Sequence, residues 1–172
     1  MKKFAFTLIA LLAAAVTVSA MNLKEAFEAL SNLPGVSIKA PDYNLPIVSD
    51  VIKDGRIAAA YNLDRQEVFK TGNAAFAILN QVPLSYMING GCNNEVGAFI
   101  YSTPNATGTN DILIAIMSGY RGDVIFICGT TDNVCKEAIQ NAPMKMQGNT
   151  LSIEADHIPD VGDFNIIISK AR

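Results

Sequence analysis

The sequence predicts an α+β domain: a mainly antiparallel sheet built on a central β-meander, with two or three helices packed on one face. Three observations predict it. Residues 97–102, 112–117 and 124–128 are short apolar runs separated by Pro, Asn and Gly clusters, the pattern of neighbouring strands joined by hairpins. Just before them, Asp64 and Glu67 form a capping pair, and Val68, Gly72, Ala75, Phe76 and Leu79 follow at helical spacing until Pro83. Finally, the meander strands are apolar on both faces: Ile112, Ile114 and Ile116 oppose Leu113, Ala115 and Met117, and Val124, Phe126 and Cys128 oppose Ile125 and Ile127. A sheet with one wet face would alternate apolar and polar residues, so these strands are expected to be central and covered on both sides.

Taken in order, the chain opens on Lys2 and Lys3, an apolar run over 4–16 and the small residues of Val18-Ser19-Ala20. This is the pattern of a secretory signal over residues 1–20, its apolar run shorter than the ~20 residues that span a bilayer. No cysteine follows the cleavage point, so export to the periplasm or the medium without a membrane anchor is expected. The remainder, 21–172, is about 150 residues, enough for a single domain that buries roughly 70% of its unfolded surface. Removing Lys2 and Lys3 leaves 11 basic against 16 acidic residues, and with no basic run nucleic acid is not an expected partner.

Asn22 with Glu25 caps a short helix whose face is Leu23, Ala26, Phe27 and Leu30, and Leu33-Pro34-Gly35 stops it. Residues 36–39 fit an edge strand. The two prolines in 41–54 suggest irregular chain or one short helix. Strands are expected at 57–61 and 84–88, on either side of the helix over 64–81. After the meander, Thr130 or Thr131 caps a third helix through about Gln140 that Pro143 closes. Residues 144–147 and 150–154 flank Gly148-Asn149, a hairpin signal, and a last strand over 164–169 follows the acidic loop 156–163. The helices over 64–81 and from 131 are expected to cover one face of the meander. The second cover is left to the C-terminal strands, the N-terminal segment or another chain.

The exported N-terminus, the short helix ending in Leu33-Pro34-Gly35-Val36, the helix before the meander and the FIYS…ILIAIMSG…VIFICGT pattern resemble uncharacterised domain-of-unknown-function families secreted by Gram-negative gut bacteria. The resemblance spans most of the mature chain. It implies export and an α+β fold, and brings no activity or site with it.

Candidate chemistry is sparse. Cys92, Cys128 and Cys135 are an odd set in an exported chain, so at most one internal bridge forms. Cys128 and Cys135 are near enough in sequence for a small disulfide loop. A bridge to Cys92, or no bridge with Cys128 as a buried apolar residue, are the alternatives. Cys135, in the first turn of a helix beside Lys136, has features that acidify a thiol. His157 is the only histidine and lies among Asp156, Asp160 and Asp163, a set able to offer oxygen ligands to a cation such as Ca²⁺, although its spacing is not that of an EF-hand. Arg121-Gly122-Asp123 spells the tripeptide that integrin ligands present on exposed loops, in a turn where chance explains it well. Gly119-Tyr120-Arg121-Gly122 matches the GXXG of a KH domain but joins strands where that motif joins helices. Asn105-Ala106-Thr107 fits a glycosylation acceptor. No phosphate loop or nucleophile elbow occurs, so no cofactor is expected. The expectation is a secreted, non-catalytic module that binds a protein or small ligand, with a homodimer as one way to cover the second sheet face. The alternative is a periplasmic enzyme or thiol redox protein using Cys135 or His157.

Overall fold

The computed structural model describes residues 20–39, 51–93, 95–148 and 150–168. Nearly all of the signal expected at 1–20, most of the stretch 41–54 and the end of the last expected strand lie outside the described residues. The elements are α1 (Leu23–Ser31), β1 (Ser37–Lys39), β2 (Lys53–Ala60), α2 (Arg65–Leu79), a 3₁₀ turn (Leu84–Tyr86), β3 (Met87–Cys92), β4 (Val96–Pro104), β5 (Asn110–Ser118), β6 (Asp123–Thr131), α3 (Asn133–Asn141), β7 (Met144–Gln147), β8 (Thr150–Ile158) and β9 (Gly162–Ile168). It is an α+β fold.

The meander is the centre of it. Strands β4, β5 and β6 pair antiparallel in register over nearly their whole lengths, with Ile114 opposite both Ile100 and Ile127. They lie within a six-stranded sheet of order β1-β2-β6-β5-β4-β3, and β7-β8-β9 form a second sheet of three strands. The alternation in the sequence sorts the side chains as expected. Leu113, Ala115, Met117, Val124, Phe126 and Cys128 pack with α1 and α2, while Ile112, Ile114, Ile116, Ile125 and Ile127 pack on the opposite side. Both faces are covered within this chain.

Two helices share the first face. The side chains of Asn22 and Asp64 accept the backbone N–H groups of Glu25 and Glu67, and each glutamate accepts its cap's N–H in return. These boxes start α1 and α2 at the two predicted places. Leu23, Ala26, Phe27 and Leu30 are buried, as are Val68, Gly72, Ala75 and Leu79. Gly72 lets α2 approach closely: a methyl there would lie 3.3 Å from the sulfur of Met117.

The second face corrects the expected grouping of helices. Strands β7–β9 cover it, through Leu151, Ile153, Ala155, Phe164, Ile166 and Ile168, together with α3, which buries Cys135 and Ile139 there. The cover therefore comes from the C-terminal strands, one of the three sources left open by the sequence. At its margin Asn89 of β3 joins the layers, donating from Nδ2 to the carbonyls of Ile139 (2.7 Å) and Ala142 (3.0 Å) at the C-terminal end of α3.

Local differences have local causes. The strand expected at 84–88 begins as the 3₁₀ turn, because Pro83 starts it and Tyr86 N–H bonds back to the Pro83 carbonyl, so pairing with β4 begins only at Met87. The cap of α3 is Asp132, not Thr130 or Thr131, which stay in the ladder of β6 opposite Asp111 and Asn110. The expected acidic loop 156–163 is largely strand, since β8 runs on to Ile158 and closes against Gly162 through a tight turn.

Candidate functional site

Cys92, Cys128 and Cys135 are free thiols, so the expected Cys128–Cys135 bridge is not formed. The reason is strand parity. Cys128 points with Val124 and Phe126 toward α1 and α2, whereas Cys135 lies beneath α3 on the opposite face, and the sheet separates them. Burial pushes the Cys135 thiol up to about 11, helped by its hydrogen bond to the Asp132 carboxylate and by that charge. Burial, with the Asp111 charge second, also pushes Cys128 up to about 11. Position near a helix N-terminus therefore does not acidify Cys135, because burial, and after it the Asp132 cap, favour the protonated thiol.

The acidic set around His157 does not converge. His157 and Asp160 both hold left-handed backbone, at φ 59° and 62°, in the hairpin end. Asp163 accepts the His157 backbone N–H at 2.9 Å, with Nδ1 3.8 Å from the same oxygen. Asp156 and Asp160 join neither. Among the described residues no group of three or more His, Cys, Asp or Glu is placed to hold a metal ion. In the Arg121-Gly122-Asp123 turn, Arg121 Nε lies 3.2 Å from Asp123 Oδ2, so the two charges face each other. Gly122 is demanded by packing: at φ 71°, a methyl on it would be 2.4 Å from the Leu63 carbonyl. The Asn105 side chain is also occupied, donating to Thr109 and Asp111 and accepting from Thr107.

The site with the most developed geometry contains only one of the predicted residues, Cys128, and not in the predicted role. It forms where β2 leaves regular pairing with β6. Lys53 pairs with Thr130 and Arg56 with Cys128, so two residues of β2, Asp54 and Gly55, oppose the single Gly129 of β6. This is a β-bulge, a device that re-aims side chains. Gly129 is required opposite it, because a methyl there would lie 2.5 Å from Ile52 Cγ2, 2.7 Å from the Lys53 carbonyl and 3.2 Å from Gly55 Cα. Asp54 takes a left-handed φ of 54°, a backbone conformation that is costly outside glycine and concentrates at functional positions.

The bulge opens a cleft of about 370 Å³ between β2, β6 and α1, lined by Lys24, Phe27, Glu28, Asp54, Arg56, Cys128, Gly129 and Thr130. Phe27 and Cys128 are its buried apolar floor, and the charged residues are its exposed rim. The rim is already organised. Arg56 donates to Glu28 Oε1 at 2.5 Å and lies over the Phe27 ring, 5.0 Å from its centroid, while Lys24 Nζ sits 3.4 Å from Asp111 Oδ2. Asp54 enters no ion pair among the described residues. Comparison with family models, curated proteins and solved structures found no match.

Two other clefts flank α2. One, about 270 Å³, lies between the turn at 33–35 and Glu67, Lys70, Thr71 and Ala74. The other, about 60 Å³, is an apolar slot beside Cys92 with Phe69, Phe76 and Met117, too small for more than a few waters. Of these three clefts among the described residues, the bulge cleft alone combines ligand-sized volume, paired charges and a residue with left-handed backbone at its rim. Its sequence signal was faint: Asp54-Gly55 is a turn dipeptide, but its partners Lys24, Glu28 and Gly129 are distant in sequence.

Proposed function

We propose that this chain is a secreted, non-catalytic binding module of the bacterial cell envelope, and that its ligand is a small molecule held in the bulge cleft. The observation carrying this reading is the bulge itself, which brings Asp54, at left-handed φ, and Arg56, paired with Glu28 and set over the Phe27 ring, into one cleft with an apolar floor. Small-ligand sites join such an apolar surface to polar groups that orient the ligand. The competing reading, an enzyme or redox protein working through Cys135 or His157, has less behind it. A thiol pushed up to about 11 holds little thiolate at neutral pH, and His157 bonds through its backbone to Asp163 in an exposed hairpin end. The homodimer has lost its original motive, because β7–β9 occupy the sheet face that a second copy was expected to cover.

The test is an amide-resolved NMR screen of the purified protein against a library of small polar metabolites. Saturable shifts confined to 54–56, 128–130 and the start of α1 are the expected result. A library that leaves those amides unmoved would overturn the reading.

A further inference from the structure

The cleft's charges suggest what it takes. Its rim carries two cations, Lys24 and Arg56, and two carboxylates, Glu28 and Asp54, so it is formally neutral. A ligand carrying one sign of charge meets only half of that rim, whereas a ligand with both poles can meet both signs. The poles are also unequal in how they are held. Glu28 and Asp111 already engage Arg56 and Lys24, whereas Asp54 has no ion-pair partner among the described residues. An ammonium on the ligand is the natural partner for that carboxylate.

Arg56 supplies the opposite pole. A guanidinium has five N–H donors in a planar fork that matches a carboxylate bidentately, and Arg56 commits one of them to Glu28. Its guanidinium carbon lies 5.0 Å from the Phe27 ring centroid, a cation–π contact that favours this position of the fork. Asp54 and Arg56 are two residues apart on the bulged strand and line the same cleft, so it offers one head of each sign. We propose that the bulge cleft binds free α-amino acids, with the ligand ammonium on Asp54, its carboxylate on Arg56, and its side chain over the Phe27 and Cys128 floor. This deepens the reading of the chain as a small-molecule binder and rests on it.

The probes are alanine and leucine, each beside its C-terminal amide, which lacks the carboxylate, and its N-acetyl form, which lacks the ammonium. Titration calorimetry gives the affinity, and the amide spectrum places it. The expected result is a dissociation constant of about 1 mM or tighter for at least one free amino acid, with shifts at 54–56 and 129, and at least tenfold weaker binding of both blocked forms. Asp54→Asn tolerates the same backbone and keeps the shape but not the charge, and Arg56→Gln removes the fork. Each should weaken the free amino acid at least tenfold while leaving the thermal midpoint near that of wild type. The proposal is overturned if amide or N-acetyl forms bind as well as the free amino acid, or if neither free amino acid moves the cleft amides. In that second case, another metabolite that does move them leaves the binding reading standing and removes only the ligand class; if none does, both fall.

Discussion

Asn89 offers the sharpest test of how the second face is held. Its Nδ2 donates to the carbonyls of Ile139 and Ala142 at 2.7 and 3.0 Å, and its Oδ1 accepts the Gly90 N–H at 2.8 Å. One half-buried side chain thus joins an outer strand of the six-stranded sheet to the end of α3, where carbonyls have no helical partner. Asn89→Ala removes three hydrogen bonds worth about 1 kcal/mol each, discounted for water reaching the site, so the expected loss is about 2–3 kcal/mol. Asn89→Asp should cost more at neutral pH. The introduced carboxylate has no N–H to give, and it faces two carbonyl oxygens at the negative end of the α3 dipole. Those neighbours raise its folded pKa above the unfolded ~3.9, so the variant regains stability as pH falls through the folded value, where the protonated acid can donate once more. Urea unfolding of wild type and both variants at pH 7 and pH 4, with unchanged m-values, reads all of this directly. An alanine variant within about 0.5 kcal/mol of wild type, or an aspartate variant no worse than alanine at pH 7, would refute the argument.

The thiols give a second expectation. Cys128 and Cys135 move from 9.0 to about 11 on folding, so the folded state favours the protonated form. Stability from this source is complete below pH 9 and falls by about 1.4 kcal/mol per pH unit per thiol between 9 and 11. Unfolding scans across that window should show the slope, and Cys128→Ala with Cys135→Ala should reduce it, leaving the part due to Tyr101, whose phenol is also pushed up by burial. In a native thiol titration at pH 7, Cys92 alone should react quickly, with the other two following only on unfolding. Asp132→Asn keeps the α3 cap but removes the charge beside Cys135, so stability should change little while the pH for alkylation of Cys135 falls. Asp132→Ala should also lose about 1 kcal/mol of capping, measured by urea unfolding. Finally, Ile153 and Ile167 lie on opposite faces of the β7–β9 sheet. Ile153→Ala, at a fully buried position, should cost about 2–5 kcal/mol, and Ile167→Ala, 53% exposed, less than about 0.5 kcal/mol. Equal losses would mean that β7–β9 do not cover the sheet through Ile153.

Much of this architecture could be read from the chain because the informative signals were local. Two capping boxes started two helices, and the period-two pattern over 112–117 and 124–128 placed every side chain of those strands on its correct face. What failed needed knowledge of which side of the sheet a connection takes. Residues 132–141 have a helical pattern whichever face they cross, and once α3 goes to the face opposite Cys128, sequence proximity no longer brings the two thiols together. The bulge cleft was hidden for the same reason. Lys24 and Glu28 are exposed positions of an amphipathic helix, Gly129 looks like the end of a strand, and Asp54-Gly55 closes a proline-containing stretch. Only the pairing of β2 with β6 makes them neighbours.

The sheet's two apolar faces explain why the cleft lies at a pairing defect. A sheet buried on both sides has no face left for a ligand, and its ladder hydrogen bonds leave no polar group free where pairing is regular. A ligand must then meet it at a strand end, an edge or an interruption. Gly129 permits such an interruption, because only a residue without a side chain lets Ile52, the Lys53 carbonyl and Gly55 close over β6. Asp54, on the bulge, lines one cleft with the middle of α1, where Phe27 is anchored in the core while Glu28, next in the chain, is exposed. The same helix that covers the sheet therefore supplies the floor and one wall of the cleft. Filling Gly129 should close the cleft and destabilise the fold together, whereas neutralising Asp54 should affect the cleft alone. That separation is what distinguishes a built site from an irregularity tolerated by packing.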